Sequence, residues 1–150
     1  YKGVWSSDAL SATMAAGTTS AALGTTTFTV RCNNQSGYTL SAKTGTEAGT
    51  LASGSNTIAT AAGNSFAAGT AGTSYWNFKL GSASNGMTIA TGYDSAIAIP
   101  TTATTVVTGA ANSGNLNGGQ SVTVTYGAGI DNFQPTGTYT GTVVYTLAAA

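Results

Sequence analysis

Apolar and polar residues alternate along this chain with a period of two, most sharply toward its end. From Gly137 to Leu147, Tyr139, Gly141, Val143, Tyr145 and Leu147 share one side. Thr138, Thr140, Thr142, Val144 and Thr146 share the other. Successive side chains of a strand point to opposite faces, so this pattern predicts a strand with one buried face. Ser121 to Ile130 repeats it, with Val122, Val124, Tyr126, Ala128 and Ile130 inward and Thr123 and Thr125 outward. The stretch between them, Asp131 to Gly137, holds Asn132, Pro135 and Gly137, which suit a loop joining two antiparallel strands.

A matching pair stands in the first half. Thr25 to Cys32 puts Thr26, Phe28, Val30 and Cys32 on one face, and Tyr38 to Lys43 puts Tyr38, Leu40 and Ala42 on one face. Asn33 to Gly37 is the turn between them. Shorter strands are predicted around Asn56–Ala59, Tyr75–Leu80, Gly86–Ala90, Ala96–Ile99 and Thr104–Thr108. Within Tyr75–Leu80, Trp76, Phe78 and Leu80 form the better core face. The recurring Thr, Val and Tyr fit a pleated, half-buried surface. No helix is predicted: Gly63 and Gly69 interrupt the alanine pairs, and each Gly costs about 1 kcal/mol relative to Ala in a helix. Many short strands between Gly, Asn and Ser turns imply an all-β, two-sheet sandwich.

Composition turns this fold expectation into a functional one. A chain of 150 residues fits one domain, and its 41% hydrophobic residues are enough for a core. Only 5% of residues are charged, against about 25% in ordinary proteins. With zero net charge, nothing steers nucleic acid or anionic lipid toward it. So few charges protect a free monomer poorly against association, whereas a subunit inside an assembly needs less protection. Thr, Ser and Asn must keep the outer faces hydrated. Asn34-Gln35-Ser36 matches a glycosylation acceptor, making Asn34 the candidate site. Tyr1-Lys2-Gly3 carries no leader pattern, as expected of a processed chain, and no apolar run approaches the ~20 residues of a membrane span.

The chemistry of catalysis is missing. Without histidine, a His-based triad, a His metal site and most general-base schemes are excluded. One cysteine cannot form an intrachain disulfide or a structural zinc site, and the alternation turns Cys32 inward as a small hydrophobe. Asp8, Glu47, Asp94 and Asp131 are the carboxylates. Asp94 and Asp131 sit in turn-like contexts where Asp bonds nearby backbone, and no Asp-x-Asp-x-Asp cluster offers calcium a site. Lys43 and Lys79 could in principle cross-link to an Asn, but no spacing selects a pair. Trp5, Tyr75, Trp76 and Tyr93 are candidates for a sugar platform; strand spacing makes Trp76 a core residue, and Trp5 is either a strand anchor or an exposed contact. The expectation is a non-enzymatic protein without cofactor or metal.

Three segments in order carry a resemblance: Phe28-Thr29-Val30-Arg31-Cys32-Asn33-Asn34 followed by Gly37-Tyr38-Thr39-Leu40; Ser74-Tyr75-Trp76-Asn77-Phe78-Lys79-Leu80; and Val122-Thr123-Val124-Thr125-Tyr126-Gly127, Gln134-Pro135, then Gly137-Thr138-Tyr139-Thr140-Gly141-Thr142-Val143. Together they resemble the spore-coat-U-like and archaic chaperone–usher pilin group. The resemblance implies an incomplete immunoglobulin-like sandwich that lacks one strand, completed by a donor strand from the N-terminal extension of a neighbour. On this chain, residues 1–20 would be the extension and 21–150 the sandwich. The donor residues would be Val4, Trp5, Leu10, Ala12 and Met14, and the acceptor groove Phe28, Val30, Tyr139, Val143, Tyr145 and Leu147. Leu10, Ala12 and Met14 read equally well as the domain's own first strand. The family often pairs a cysteine at the position of Cys32 with one in the first strand, and that partner is absent here.

The expected function is therefore the structural subunit of an extracellular filament at the cell surface, a pilus or fibre. Its partners would be copies of itself joined head to tail, with an assembly chaperone and usher. The competing expectations are a surface adhesive or carbohydrate-binding module, and a surface-layer or phage structural protein.

Overall fold

The computed structural model describes residues 2–14, 20–31, 35–62, 73–111 and 119–150. These residues form ten strands: β1 (Lys2–Met14), β2 (Ser20–Val30), β3 (Tyr38–Thr44), β4 (Thr50–Ser53), β5 (Asn56–Thr60), β6 (Tyr75–Gly81), β7 (Met87–Ile89), β8 (Thr104–Gly109), β9 (Gln120–Gly129) and β10 (Gly137–Ala149). Among the described residues there is no helix. The chain is all-β. Nine strands follow one hydrogen-bonded path, β2-β9-β6-β5-β4-β10-β3-β8-β7, and β1 branches from it by pairing with β10. The sheet is mixed because β5 and β6 run parallel.

The alternation in β9 and β10 explains how this sheet packs. Val122, Val124 and Tyr126 of β9 and Tyr139, Val143 and Tyr145 of β10 are buried, while the threonines between them are half-buried or exposed. The two strands lie apart in the sheet order, yet their buried faces meet. Phe28 of β2 packs on Tyr145 with ring centroids 4.4 Å apart. The hydroxyls of Tyr126 and Tyr145 hydrogen-bond to each other inside the core. Tyr38 of β3 donates its hydroxyl to Gln120 Oε1 on β9 at 2.6 Å, and Gln120 Nε2 donates to Asn85 O at 2.7 Å. Each polar tip carried inward by a large ring thus finds a partner, as burial demands.

The outer face is built from hydroxyls. Thr25 stands opposite Thr125, and Thr27 opposite Thr123, across the β2–β9 ladder. Their side-chain oxygens lie 3.5 and 3.4 Å apart, at the surface.

Two local features depart from the alternation-based reading. Ala96–Ile99 is not a strand, and only Ile97 forms a bridge, to Phe78. Two positions on, the amide of Ile99 is taken by the side chain of Thr60 at 2.8 Å, and Pro100 offers no N–H to continue a ladder. Conversely, β4 is too short for its alternation to stand out. It is held by a two-residue hairpin loop to β5, in which Gly54 takes a positive φ of 60°.

Removing one member of the buried tyrosine pair deletes the hydrogen bond between them while the other hydroxyl stays in the core. Tyr126→Phe and Tyr145→Phe are each expected to cost about 1–3 kcal/mol, and the double variant less than their sum. Urea unfolding of the two single variants and the double variant measures this coupling.

Candidate functional site

The residues considered for chemistry are dispersed or structurally engaged. Glu47 and Asp94 are exposed, Asp94 in a turn. Asp131 is buried, and backbone donors occupy both carboxylate oxygens: Phe133 N–H to Oδ1 at 2.6 Å and Thr73 N–H to Oδ2 at 3.2 Å. Its own N–H donates to Ser74 Oγ at 2.8 Å. Among the described residues, no three His, Cys, Asp or Glu side chains gather as a metal site would require. Among the described residues, no helix is long and apolar enough to cross a membrane. Cys32 and Asn34 lie outside the described residues.

Lys43 and Lys79 are exposed. Among the aromatics, Trp76 is buried and donates its indole N–H to Gly49 O at 3.0 Å. Tyr93 packs edge-on against Phe78 with centroids 5.9 Å apart, on the core side of β6. Tyr75 lies on the opposite side of that strand, over Gly129, where an added Cβ would come within 2.5 Å of its ring. Tyr75 and Tyr93 therefore do not line one strip.

The feature with functional content is the edge of β10. On one side β10 pairs with β3 from Val143 to Ala149 and touches β4 at Thr140. Its other side carries β1 alone, antiparallel along nearly its full length, from Lys2 opposite Ala148 to Met14 opposite Gly137. Of the residues assigned to a donor strand, Leu10, Ala12 and Met14 pair with Gly141, Tyr139 and Gly137. These β10 positions belong to the alternation that includes buried Val143 and Tyr145. Val4 pairs with Thr146, on the other alternation, because the register shifts between Val4 and Ser6, at Trp5. One extra residue in a strand reverses which positions share a side.

Among the residues assigned to an acceptor groove, Phe28, Val30, Tyr139, Val143 and Tyr145 are buried together, and half-buried Leu147 packs against the same cluster. β4 also packs closely at Gly141: a Cβ there would meet Leu51 Cδ2 at 2.8 Å.

Where β1 ends, a tightly built loop joins β9 to β10. Gln134 N–H donates to Asp131 O at 3.1 Å. Gln134 Nε2 donates to Tyr139 Oη at 2.8 Å, and that hydroxyl donates to Pro135 O at 2.8 Å. The loop presents Phe133, which is 80% exposed, the one large hydrophobic side chain so exposed among the described residues. Sequence reasoning passed over Phe133. The available signal was a large apolar residue inside a stretch otherwise made of turn formers.

Comparison with known proteins finds no matching family model, no matching curated protein and no matching solved structure.

Asp131 satisfies two backbone amides at once, so Asp131→Ala is expected to cost about 2 kcal/mol, a typical value for hydrogen bonds to a charged group. Urea denaturation of the variant against the parent chain checks it.

Proposed function

We propose that this chain is a structural, non-enzymatic subunit of an extracellular filament, joined to a neighbouring copy by donation of its N-terminal strand. The observation that carries the reading is the placement of β1. It is attached outside the main strand path through a single ladder to β10. A second copy's residues 2–14 would supply the same backbone hydrogen bonds in the same register, so exchange between copies forfeits none of them. In this reading the remaining strands form an incomplete immunoglobulin-like sandwich, and the donated strand completes it.

Three further observations support the proposal. The hydrogen bond from Tyr139 near the start of β10 to Pro135 O resembles the tyrosine corner of Greek-key sandwiches. The Phe28–Tyr145 and Tyr126–Tyr145 contacts join strands that are not neighbours in the sheet order, which fits a sandwich. The low charge fits a chain that spends its life in contact with copies of itself. The sugar-platform alternative draws less support, because Tyr75 and Tyr93 lie on opposite sides of β6.

Deleting residues 1–14 is expected to abolish filaments in negative-stain images. A synthetic peptide of residues 2–14 is expected to bind the truncated chain and stabilise it, by about 2.7 kcal/mol when present at a hundred times its Kd. Filaments from the truncated chain indistinguishable from those of the full chain would refute the proposal.

A further inference from the structure

If β1 is donated between copies, as proposed above, the strand registers fix where those copies meet. We infer that two copies engage pole to pole, through the end of the molecule that carries the 131–136 loop, and that Phe133 lies in that contact.

The argument starts from two register pairs. Met14, the last residue of β1, stands opposite Gly137, the first residue of β10. Ser20, the first residue of β2, stands opposite Gly129, the last residue of β9. The loop joins Gly129 to Gly137, so all four positions belong to one pole. The other pole holds the start of β9 and the end of β10. Tyr38, paired with Ala149, reaches Gln120 there.

Reach decides the rest. Fully extended, residues 15–19 bridge Met14 and Ser20 across at most roughly 20 Å. With 13 residues, β10 is roughly 40 Å long. A donated β1 that keeps its antiparallel register enters the acceptor with Met14 at the acceptor's loop pole. The donor's β2 begins at the donor's own loop pole, within that short reach. The two loop poles must therefore face each other. A thread of copies stacked head to tail would need the strand to leave at one pole and enter at the opposite one. The connection is about half the length that would require.

Phe133 is an independent observation at the same place. A rigid loop holds a large apolar side chain, 80% exposed, at the pole that the registers select. One exposed apolar side chain is ordinary on a protein surface, and a contact at this pole would cover it. The same pole of a second copy is the occupant that the strand geometry brings within range. Reciprocal exchange of β1 closes two copies into a pair with these loops together, the pair then being the repeating unit of the proposed filament, and aromatic anchors are common at the centres of such contacts.

The test uses the full chain with Cys32→Ser, adding either Phe133→Cys or Ala149→Cys, which mark the two poles. Mixed chains are allowed to assemble and are then treated with a bis-maleimide. Cross-links joining position 133 of one copy to position 133 of another are expected, and they should vanish when residues 1–14 are deleted. Phe133→Asp, at an exposed position, should keep the far-ultraviolet spectrum while weakening association on the order of tenfold. Cross-links from 133 to 149 without 133 to 133, in an assembly that still needs residues 1–14, would overturn the pole-to-pole contact and leave strand donation standing. A full chain that stays monomeric, or a truncated chain that assembles unchanged, would instead remove strand donation, and this inference with it.

Discussion

The C-terminal strand cannot be left with a bare edge. Tyr139, Val143 and Tyr145 of β10 are buried, and an unpaired row of N–H and C=O groups along the same strand would be a template for association with another chain. Each of its two rows of N–H and C=O groups needs a neighbouring strand. One row is met by β3, with a touch from β4; the other is met by β1. Those two pairings make β10 the axis of the molecule. They set the height at which β3 brings Tyr38 to Gln120, the height at which Tyr145 meets Phe28 and Tyr126, and the need for glycine at position 141 beside Leu51.

The same requirement connects fold to assembly. An edge that must be paired, beside a strand attached only to that edge, is a joint that a second copy can complete. Because β1 contributes a ladder rather than a link in the main strand path, a second copy's β1 would supply the same pairing under the proposed exchange. The direction of that ladder and the short connection to β2 then restrict how two bodies lie. Under the proposed exchange, the registers select which ends of the two partners would come together.

Much of this fold was legible along the chain. The period of two in β9 and β10 placed the buried Val122, Val124, Tyr126, Tyr139, Val143 and Tyr145 correctly, because large rings and branched residues alternate there with threonine, broken by Gly141 and Val144. Asp131 read correctly as a turn residue. Legibility failed where a local pattern yields to tertiary hydrogen bonding: the backbone of Ile99 is claimed by Thr60, a residue far off in sequence. It failed again in β4, where four residues give alternation too little length to register. The shift at Trp5 was hidden as well, since an extra residue in a strand leaves composition unchanged while reversing the pairing sides. Phe133 escaped notice because the pattern that identifies cores says nothing about a single apolar residue in a loop.

The threonine pairs across β2 and β9 have a consequence outside the molecule. A coat of charged groups changes its repulsion with every change in salt, since the screening length falls from about 30 Å at 0.01 M to about 3 Å at 1 M ionic strength. Neutral hydroxyls hold their water by hydrogen bonds that carry no such dependence, and they do not titrate near neutrality. A surface tiled as Thr25, Thr27, Thr123 and Thr125 tile this one keeps the same hydration in fresh water and in brine, in mild acid and in mild base.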